Sequence, residues 1–221
     1  MPSIVRQSYL SMRHLFFLFL VFFAAVFVSC GTKPRTRIVV PEDEVFRNGD
    51  LVLRCGWGAE SRAVTYGGRS AYSHIGILVR DDSLNTWMVV HAVPGEAVKD
   101  EPEYIKYETL EAFYSSDRAC KGAWMRLQCP DSSAALAAAY CLDKYRDSVL
   151  FDNSYLLGDT SELYCCELVW RAFLCQDMDI TSGSRHDVPT LFCSEGEAIF
   201  PSDIEKSDKT AFVKPFNSTQ L

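Results

Sequence analysis

The chain has 221 residues, 48% of them hydrophobic, which suits one domain with a buried core once any targeting segment is set aside. The sequence carries a net charge of −7 and contains no basic stripe and no cluster of aromatic and basic residues. Nucleic acid is therefore excluded as an expected partner, because surfaces that bind it are rich in lysine and arginine.

The first thirty residues have the composition of an export signal. Basic residues precede the apolar run Leu15–Val28, which is too short for a membrane span. The run ends in Phe-Val-Ser-Cys, which resembles a bacterial lipobox with Phe27 in place of the preferred leucine. We predict that residues 1–30 are a signal peptide, that Cys30 is lipidated, and that the exported lipoprotein faces the bacterial periplasm or cell envelope. Plain cleavage and an uncleaved anchor are the alternatives.

Residues 31–44 are polar and contain two prolines, which indicates a linker, and the folded domain is predicted over residues 45–221. Near its start, the apolar run in GDLVLRCGW predicts a strand, and the glycine-rich segment Ala59–Ala71 predicts one short helix and a loop. Two β-rich runs then flank the polar segment DDSLN, which indicates a β-hairpin over Ser73–Gly95.

The middle of the chain predicts one strand between two helices. The segment YETLEAFY favours a short helix, and WMRLQC favours a strand. Residues Ser132–Asp147 predict a strong helix, because alanine and leucine favour the helical backbone and Ser132 or Ser133 can cap it.

The last third of the chain predicts a second strong helix, Tyr164–Leu174, and a final strand at TAFVKPF. The mixture of a few short strands with separate helices indicates the α+β class. We therefore expect a small antiparallel sheet packed against helices.

Two cysteines stand side by side where the second strong helix begins. Cys165 and Cys166 occupy its predicted N-terminus, where unpaired N–H groups and the helix dipole favour a negative charge. A thiolate in such a place has a lowered pKa and acts as a nucleophile. Disulfides form in exported proteins, but with Cys30 lipidated eight of the nine cysteines remain, and sequence alone cannot pair them.

Three histidines follow the predicted signal peptide, and two of them lie on the predicted hairpin. If the turn is symmetric about residues 82–83, His74 faces His91 directly, with Gly76 leaving space beside the ring. This pairing predicts a relay, in which His74 accepts the thiol proton and His91 orients His74. The remaining histidine, His186, lies in a loop of turn-forming residues.

The residues alone leave two alternatives open. In the first, the cysteine pair and the histidines only pack in the core or lie at the surface. In the second, His74, His91, Cys165 and Cys166 ligate zinc, although structural zinc sites usually show close ligand pairs such as Cys-x-x-Cys, and this sequence has none.

Five segments resemble one known family in the same order along residues 49–204. They are GDLVLRCG, AYSHIGILV, VVHAVPG, FDNSYLLGDTSELYCCELVWRAF and FPSDI. They resemble the permuted papain-like amidases of the YaeF/YiiX type, within the NlpC superfamily of cysteine hydrolases. The resemblance implies a circularly permuted papain-like fold, in which the catalytic histidine precedes the nucleophile in the chain.

The resemblance also implies roles for individual residues. The family pattern Tyr-Cys-Ser-Glu corresponds to residues 164–167, so Cys165 is the implied nucleophile and Cys166 takes the place of a small residue. The family's Tyr-Ser-His corresponds to a segment ending at His74. The third catalytic residue is commonly glutamate in the family, whereas this chain has His91.

Two tyrosines flank the implied catalytic pair. Tyr72 and Tyr164 are candidates for lining the substrate cleft or donating a hydrogen bond to substrate. Aromatic packing is the alternative role for both.

The sequence therefore predicts a membrane-tethered thiol hydrolase that cleaves an amide bond and needs no metal or organic cofactor. A peptide of the cell wall is the first expected substrate. The alternatives are a lipid-directed acyl hydrolase or transferase, and a catalytically inactive binding or structural lipoprotein with the same fold.

Overall fold

The structure is a computed structural model that describes residues 36–41, 44–158, 160–187 and 196–220. The predicted signal peptide, with the proposed lipidation site Cys30, lies outside these residues. Residues Arg35–Leu221 form one structural unit. Within the described ranges, no helix combines the length and apolar character needed to cross a membrane.

Ten strands and five helices are described. The strands are β1 (Thr36–Val39), β2 (Leu51–Cys55), β3 (His74–Asp81), β4 (Thr86–His91), β5 (Lys106–Thr109), β6 (Lys121–Leu127), β7 (His186–Asp187), β8 (Glu197–Ala198), β9 (Thr210–Pro215) and β10 (Asn217–Gln220). The helices are α1 (Ala59–Gly68), α2 (Leu110–Phe113), α3 (Asp131–Arg146), α4 (Cys165–Leu174) and α5 (Pro201–Glu205). The predicted α+β class is therefore confirmed.

A six-stranded antiparallel sheet in the order β5-β4-β3-β2-β6-β9 forms the centre of the fold. Side chains of its strands alternate between two faces. On one face, Leu53, Ile75 and Ile77 join the cluster formed with helices α3 and α4. On the opposite face, residues such as Leu78 and Val89 join a second cluster. Both faces are covered, which is why β3 is apolar along most of its length.

The predicted hairpin is present, but its register differs from the prediction by two residues. Ile77 pairs with Val90, so the same register, continued by one residue, sets Gly76 rather than His74 opposite His91. The turn covers four residues, 82–85, because the Asp81 carboxylate accepts hydrogen bonds from the backbone of the turn and moves its centre. A slip of two residues keeps every side chain on its predicted face, so both histidines still share one face.

Several element boundaries also differ from the predictions. Strand β1 lies inside the predicted linker 31–44, because it buries Ile38 and pairs with β10, a strand beyond the predicted last one. The segment YETLEAFY begins as β5, and only its second half forms a helical turn. Neither Ser132 nor Ser133 caps α3, since that helix begins one residue earlier, after Pro130.

Candidate active site

The candidate nucleophile occupies the first position of helix α4. Tyr164 precedes it with an extended backbone, and no side chain caps the helix. The first N–H groups of a helix have no acceptor within the helix, so they point toward the space in front of it. Cys165 is buried there and yet lines a cavity, which gives its sulfur access to a bound molecule.

Three groups favour the thiolate form of Cys165. The thiol of Cys166 lies 3.8 Å from its sulfur. The hydrogen bond from Cys166 is the main cause that lowers the pKa of Cys165 well below 9.0; burial opposes it, and His74 and the backbone N–H of Ile75 lower it further. Burial raises the pKa of Cys166 well above 9.0, so this neighbour keeps its proton and can donate it.

The two hairpin histidines contact each other directly. Nε2 of His74 lies 2.9 Å from Nδ1 of His91, and the rings meet edge to face with centroids 5.0 Å apart. Since Nε2 of His74 faces His91, its Nδ1 is the nitrogen left for the hydrogen bond with Cys165. The structure thus brings the three predicted catalytic residues into one row.

Both histidines are neutral at pH 7. Burial lowers the pKa of His74 to about 4, opposed by its contacts with Cys165 and assisted by the positive charge of Arg54. Burial also lowers the pKa of His91 to about 4, against the effect of the neighbouring carboxylate of Glu108. A neutral imidazole is the form that can accept a proton from a thiol.

Glu108 extends the row, although no sequence pattern indicated a role for it. Its Oε1 lies 3.0 Å from Nε2 of His91. Strand β5 pairs with β4 so that Glu108 is opposite Val89, which places it diagonally from His91 on the same face. Glu108 lies in the segment predicted as a helix, so no sequence signal paired it with the hairpin.

A phenylalanine and an arginine hold the histidines in place. The ring of Phe113 packs against both imidazoles, with centroid distances of 5.7 Å to His74 and 5.0 Å to His91. The buried guanidinium of Arg54 lies 4.6 Å from the centre of that ring and donates to the carbonyl of Phe113 at 2.8 Å. Arg54 also forms an ion pair with Glu96, which balances its charge.

Cys165 and His74 line a cavity of about 470 Å³. The aromatic residues that line it are Trp57, Phe151 and Tyr155. The charged residues that line it are Arg54, Glu60, Glu96, Asp117 and Arg118. Such a mixture of charged and aromatic walls suits a polar ligand with several hydrogen-bonding groups.

The two predicted substrate-binding tyrosines do not line this cavity. Tyr72 is buried in the hydrophobic cluster that the sheet forms with helices α3 and α4. Tyr164 is buried as well, and its hydroxyl accepts a hydrogen bond of 2.8 Å from the backbone N–H of Ile199. Neither tyrosine is among the residues that line the cavity, and both pack in the core, which is the position expected from the alternative of aromatic packing.

The third histidine lies apart from the row. His186 belongs to the two-stranded sheet β7–β8, and its Nε2 contacts Oδ1 of Asp203 at 2.8 Å. Its ring also packs edge to face on Phe200.

The arrangement does not fit the zinc alternative. Across the described ranges, no three histidine, cysteine, aspartate or glutamate side chains are grouped so that they can hold a metal ion. The 2.9 Å contact between His74 and His91 has the length of a hydrogen bond and leaves no room for an ion between the two nitrogens. The seven cysteines of the described part are free thiols, so no disulfide pairs them.

Comparisons with known proteins show a likeness of fold alone. No protein-family model matches the sequence, and no curated protein matches it. The crystal structure of metalloprotein yiiX from Escherichia coli O157:H7, DUF1105, is similar to this chain with a TM-score of 0.60 and 16% sequence identity. The match covers 79% of this chain and 98% of that chain. At the level of fold, it agrees with the YiiX-type resemblance of the sequence.

Proposed function

We propose that this protein is an exported, membrane-tethered thiol hydrolase that cleaves an amide bond on a circularly permuted papain-like fold. The observation that carries the proposal is the contact between Cys165 and His74 at the wall of a cavity. The order of the two residues in the chain, histidine before cysteine, supports the permuted form. The predicted signal peptide and Cys30 support export and tethering.

In the proposed reaction, Nδ1 of His74 accepts the proton of Cys165 as the sulfur attacks the amide carbonyl. The backbone N–H of Cys165, at the uncapped start of α4, stabilises the negative charge that develops on the carbonyl oxygen. His74 then gives its proton to the leaving amine. Water attacks the resulting thioester, with His74 again as the base, and releases the acyl group.

The cavity favours a peptide over an acyl chain. Its charged groups include the ion pair of Arg54 with Glu96 and the carboxylate of Glu60, which offer partners to a polar substrate. A long acyl chain would leave these groups without water or partners, at a cost in free energy. Together with the proposed export, this favours a peptide of the cell wall.

The test is hydrolysis by the full chain in detergent, with wall peptides and phospholipids assayed side by side. We expect the wild type to cleave an amide bond in the peptides and Cys165→Ala to lose at least about 1,000-fold in rate. Cys175→Ala, which removes an exposed thiol, serves as the matched control and should keep full activity.

Each other outcome selects an alternative. Full activity in Cys165→Ala would overturn the mechanism. Cleavage of phospholipids alone would identify a lipid-directed hydrolase. No turnover, together with a Cys165 thiol of ordinary reactivity, would identify a binding lipoprotein.

A further inference from the structure

We propose that Glu108 is a positioning residue that sets the tautomer of His74 through the ring of His91. This inference rests on the proposed function and adds a residue to its machinery. Three contacts carry it: Cys165 with His74, His74 Nε2 with His91 Nδ1 at 2.9 Å, and His91 Nε2 with Glu108 Oε1 at 3.0 Å.

The carboxylate of Glu108 is the fixed end of the row. Its Oε2 accepts a hydrogen bond of 2.8 Å from Arg118 and lies 3.6 Å from Nζ of Lys106. Burial by itself raises the pKa of Glu108, but the hydrogen bond from His91 and these two positive charges lower it to about 2. The group is therefore ionised near neutral pH, and an ionised carboxylate can only accept hydrogen bonds.

The hydrogen atoms of both rings follow from that fixed end. Since Glu108 can only accept, Nε2 of His91 carries the hydrogen. A neutral imidazole has one N–H, so Nδ1 of His91 is an acceptor. The neighbouring Nε2 of His74 must then be the donor, at 2.9 Å. The hydrogen of His74 is thereby placed on Nε2, and its Nδ1 presents a lone pair to Cys165.

This order of hydrogens matters for the reaction. Only the tautomer with a lone pair on Nδ1 can accept the thiol proton, and the opposite tautomer would offer Cys165 a second donor. When His74 becomes charged, His91 accepts from it and Glu108 in turn accepts from His91, so the carboxylate stabilises the imidazolium across the intervening ring. Glu108 touches neither the sulfur nor the cavity, and its effect acts entirely through His91.

Other charged groups contribute to the field at the row. Besides Glu108, the titratable and charged side chains around the two rings are Arg54 on β2, Cys165 on α4, Glu96 after β4, Lys106 on β5 and Arg118 before β6. Of the two carboxylates, Glu96 and Glu108, it is Glu108 that forms a hydrogen bond with His91. A change at Glu108 therefore alters the tautomer, whereas Arg54, Glu96, Lys106 and Arg118 act on the two rings through their charge.

The experiment uses the full chain in detergent and iodoacetamide as the probe of Cys165, so it does not depend on the substrate. In Glu108→Gln, the amide can donate to Nε2 of His91 as well as accept from it, which permits both tautomers. We expect alkylation of Cys165 at pH 7 to slow by about 10-fold and the midpoint of its pH profile to move upward. Glu111→Gln removes an exposed carboxylate of α2 and should leave rate and midpoint unchanged.

Nitrogen NMR of histidine-labelled protein provides a readout that a merely structural role would not move. The wild type should show the hydrogen of His74 on Nε2, and Glu108→Gln should show a mixture of tautomers. An unchanged pH profile and tautomer in a folded Glu108→Gln protein would overturn the inference. If that variant does not fold, the wild-type spectrum decides alone, because a hydrogen on Nδ1 of His74 contradicts it.

The two proposals fail in different ways. If Cys165 of the wild type reacts no faster than an unfolded thiol, the proposed hydrolase is overturned whatever the tautomer. If Cys165 is activated but Glu108→Gln leaves its pH profile unchanged, the hydrolase stands and the role of Glu108 is overturned.

Discussion

Two histidine–carboxylate pairs in this protein have nearly the same length and very different surroundings. His91 and Glu108 are 3.0 Å apart with side chains 0% and 13% exposed, and His186 and Asp203 are 2.8 Å apart with side chains 43% and 9% exposed. The contact distance therefore does not distinguish a buried histidine–carboxylate contact from one with a partly exposed imidazole. What distinguishes them is the partner of the second ring nitrogen: for His91 it is the imidazole that contacts Cys165.

Apart from the histidine, the carboxylates of the two pairs also have different partners. Asp203 accepts a hydrogen bond of 2.7 Å from the backbone N–H of Phe200, at the start of α5, and so stabilises a helix end. Glu108 instead binds Lys106 and Arg118, which keep it ionised. A carboxylate held by two cations stays ionised and can polarise a histidine, whereas Asp203 uses one oxygen to cap a helix and the other to contact a partly exposed imidazole.

The largest expected difference concerns the reactivity of Cys165. His74→Ala should slow its alkylation at pH 7 by about 100-fold, because Cys165 loses the imidazole that accepts its proton and forms a hydrogen bond with it. His186→Ala should leave the rate unchanged. The measurement is the rate of iodoacetamide labelling, mapped to Cys165 by mass spectrometry. Equal rates in the two variants would remove the distinction between the histidines.

The second difference concerns stability in acid. The pKa values of His74 and His91 are lowered from 6.5 to about 4, so the unfolded chain binds more protons than the folded one between these values. The contribution of these two neutral imidazoles to the free energy of unfolding is thus fully present above pH 6.5. It is lost as the pH falls to 4, by about 3 kcal/mol for each histidine.

Urea unfolding at several pH values measures this loss. His91→Asn should reduce the dependence on pH between 6.5 and 4 by nearly half, because one of the two buried imidazoles is gone. His186→Asn serves as the exposed control and should retain the wild-type slope. A wild-type slope in His91→Asn would show that His91 already carries its proton in the folded state.

The smallest expected effect concerns the space beside His91. A Cβ on Gly76 would lie 2.5 Å from Cγ1 of Val89 and 3.2 Å from Cβ of His91, so Gly76→Ala must push one of them away. We expect a loss of about 1–3 kcal/mol in the free energy of unfolding. Gly158→Ala is the control, because its nearest neighbour would be 4.0 Å away. Equal unfolding midpoints for the two variants would show that the hairpin adapts without cost.

Much of the candidate site follows from local sequence patterns. The start of a helix at Cys165 and the hairpin with His74 and His91 on one face were predicted from periodicity. The predicted register was wrong by two residues. Both histidines nevertheless lie on the predicted face, because strand side chains alternate with a period of two. Had the turn differed by an odd number of residues, the two rings would have been on opposite faces.

Glu108 shows the limit of such patterns. In the family that the sequence resembles, the third catalytic residue is commonly a glutamate, and the resemblance sets His91 at that position. In the structure a carboxylate follows His91 in the row of contacts. It is that of Glu108, on a strand where the sequence predicted a helix. The segment YETLEAF, which contains Glu108, favours a helix locally, and pairing with β4 overrides that preference for its first three residues.

The sequence by itself determined the α+β class, the order of histidine before cysteine, and the position of the thiols at a helix start, because periodicity and helix-end chemistry are local properties. Only the tertiary structure decided that Glu108 meets His91, that Tyr72 and Tyr164 pack away from the cavity, and that His186 belongs to another pair. Those outcomes depend on which strands pair and which surfaces become buried, and the free energies that select them come from contacts between residues far apart in the chain.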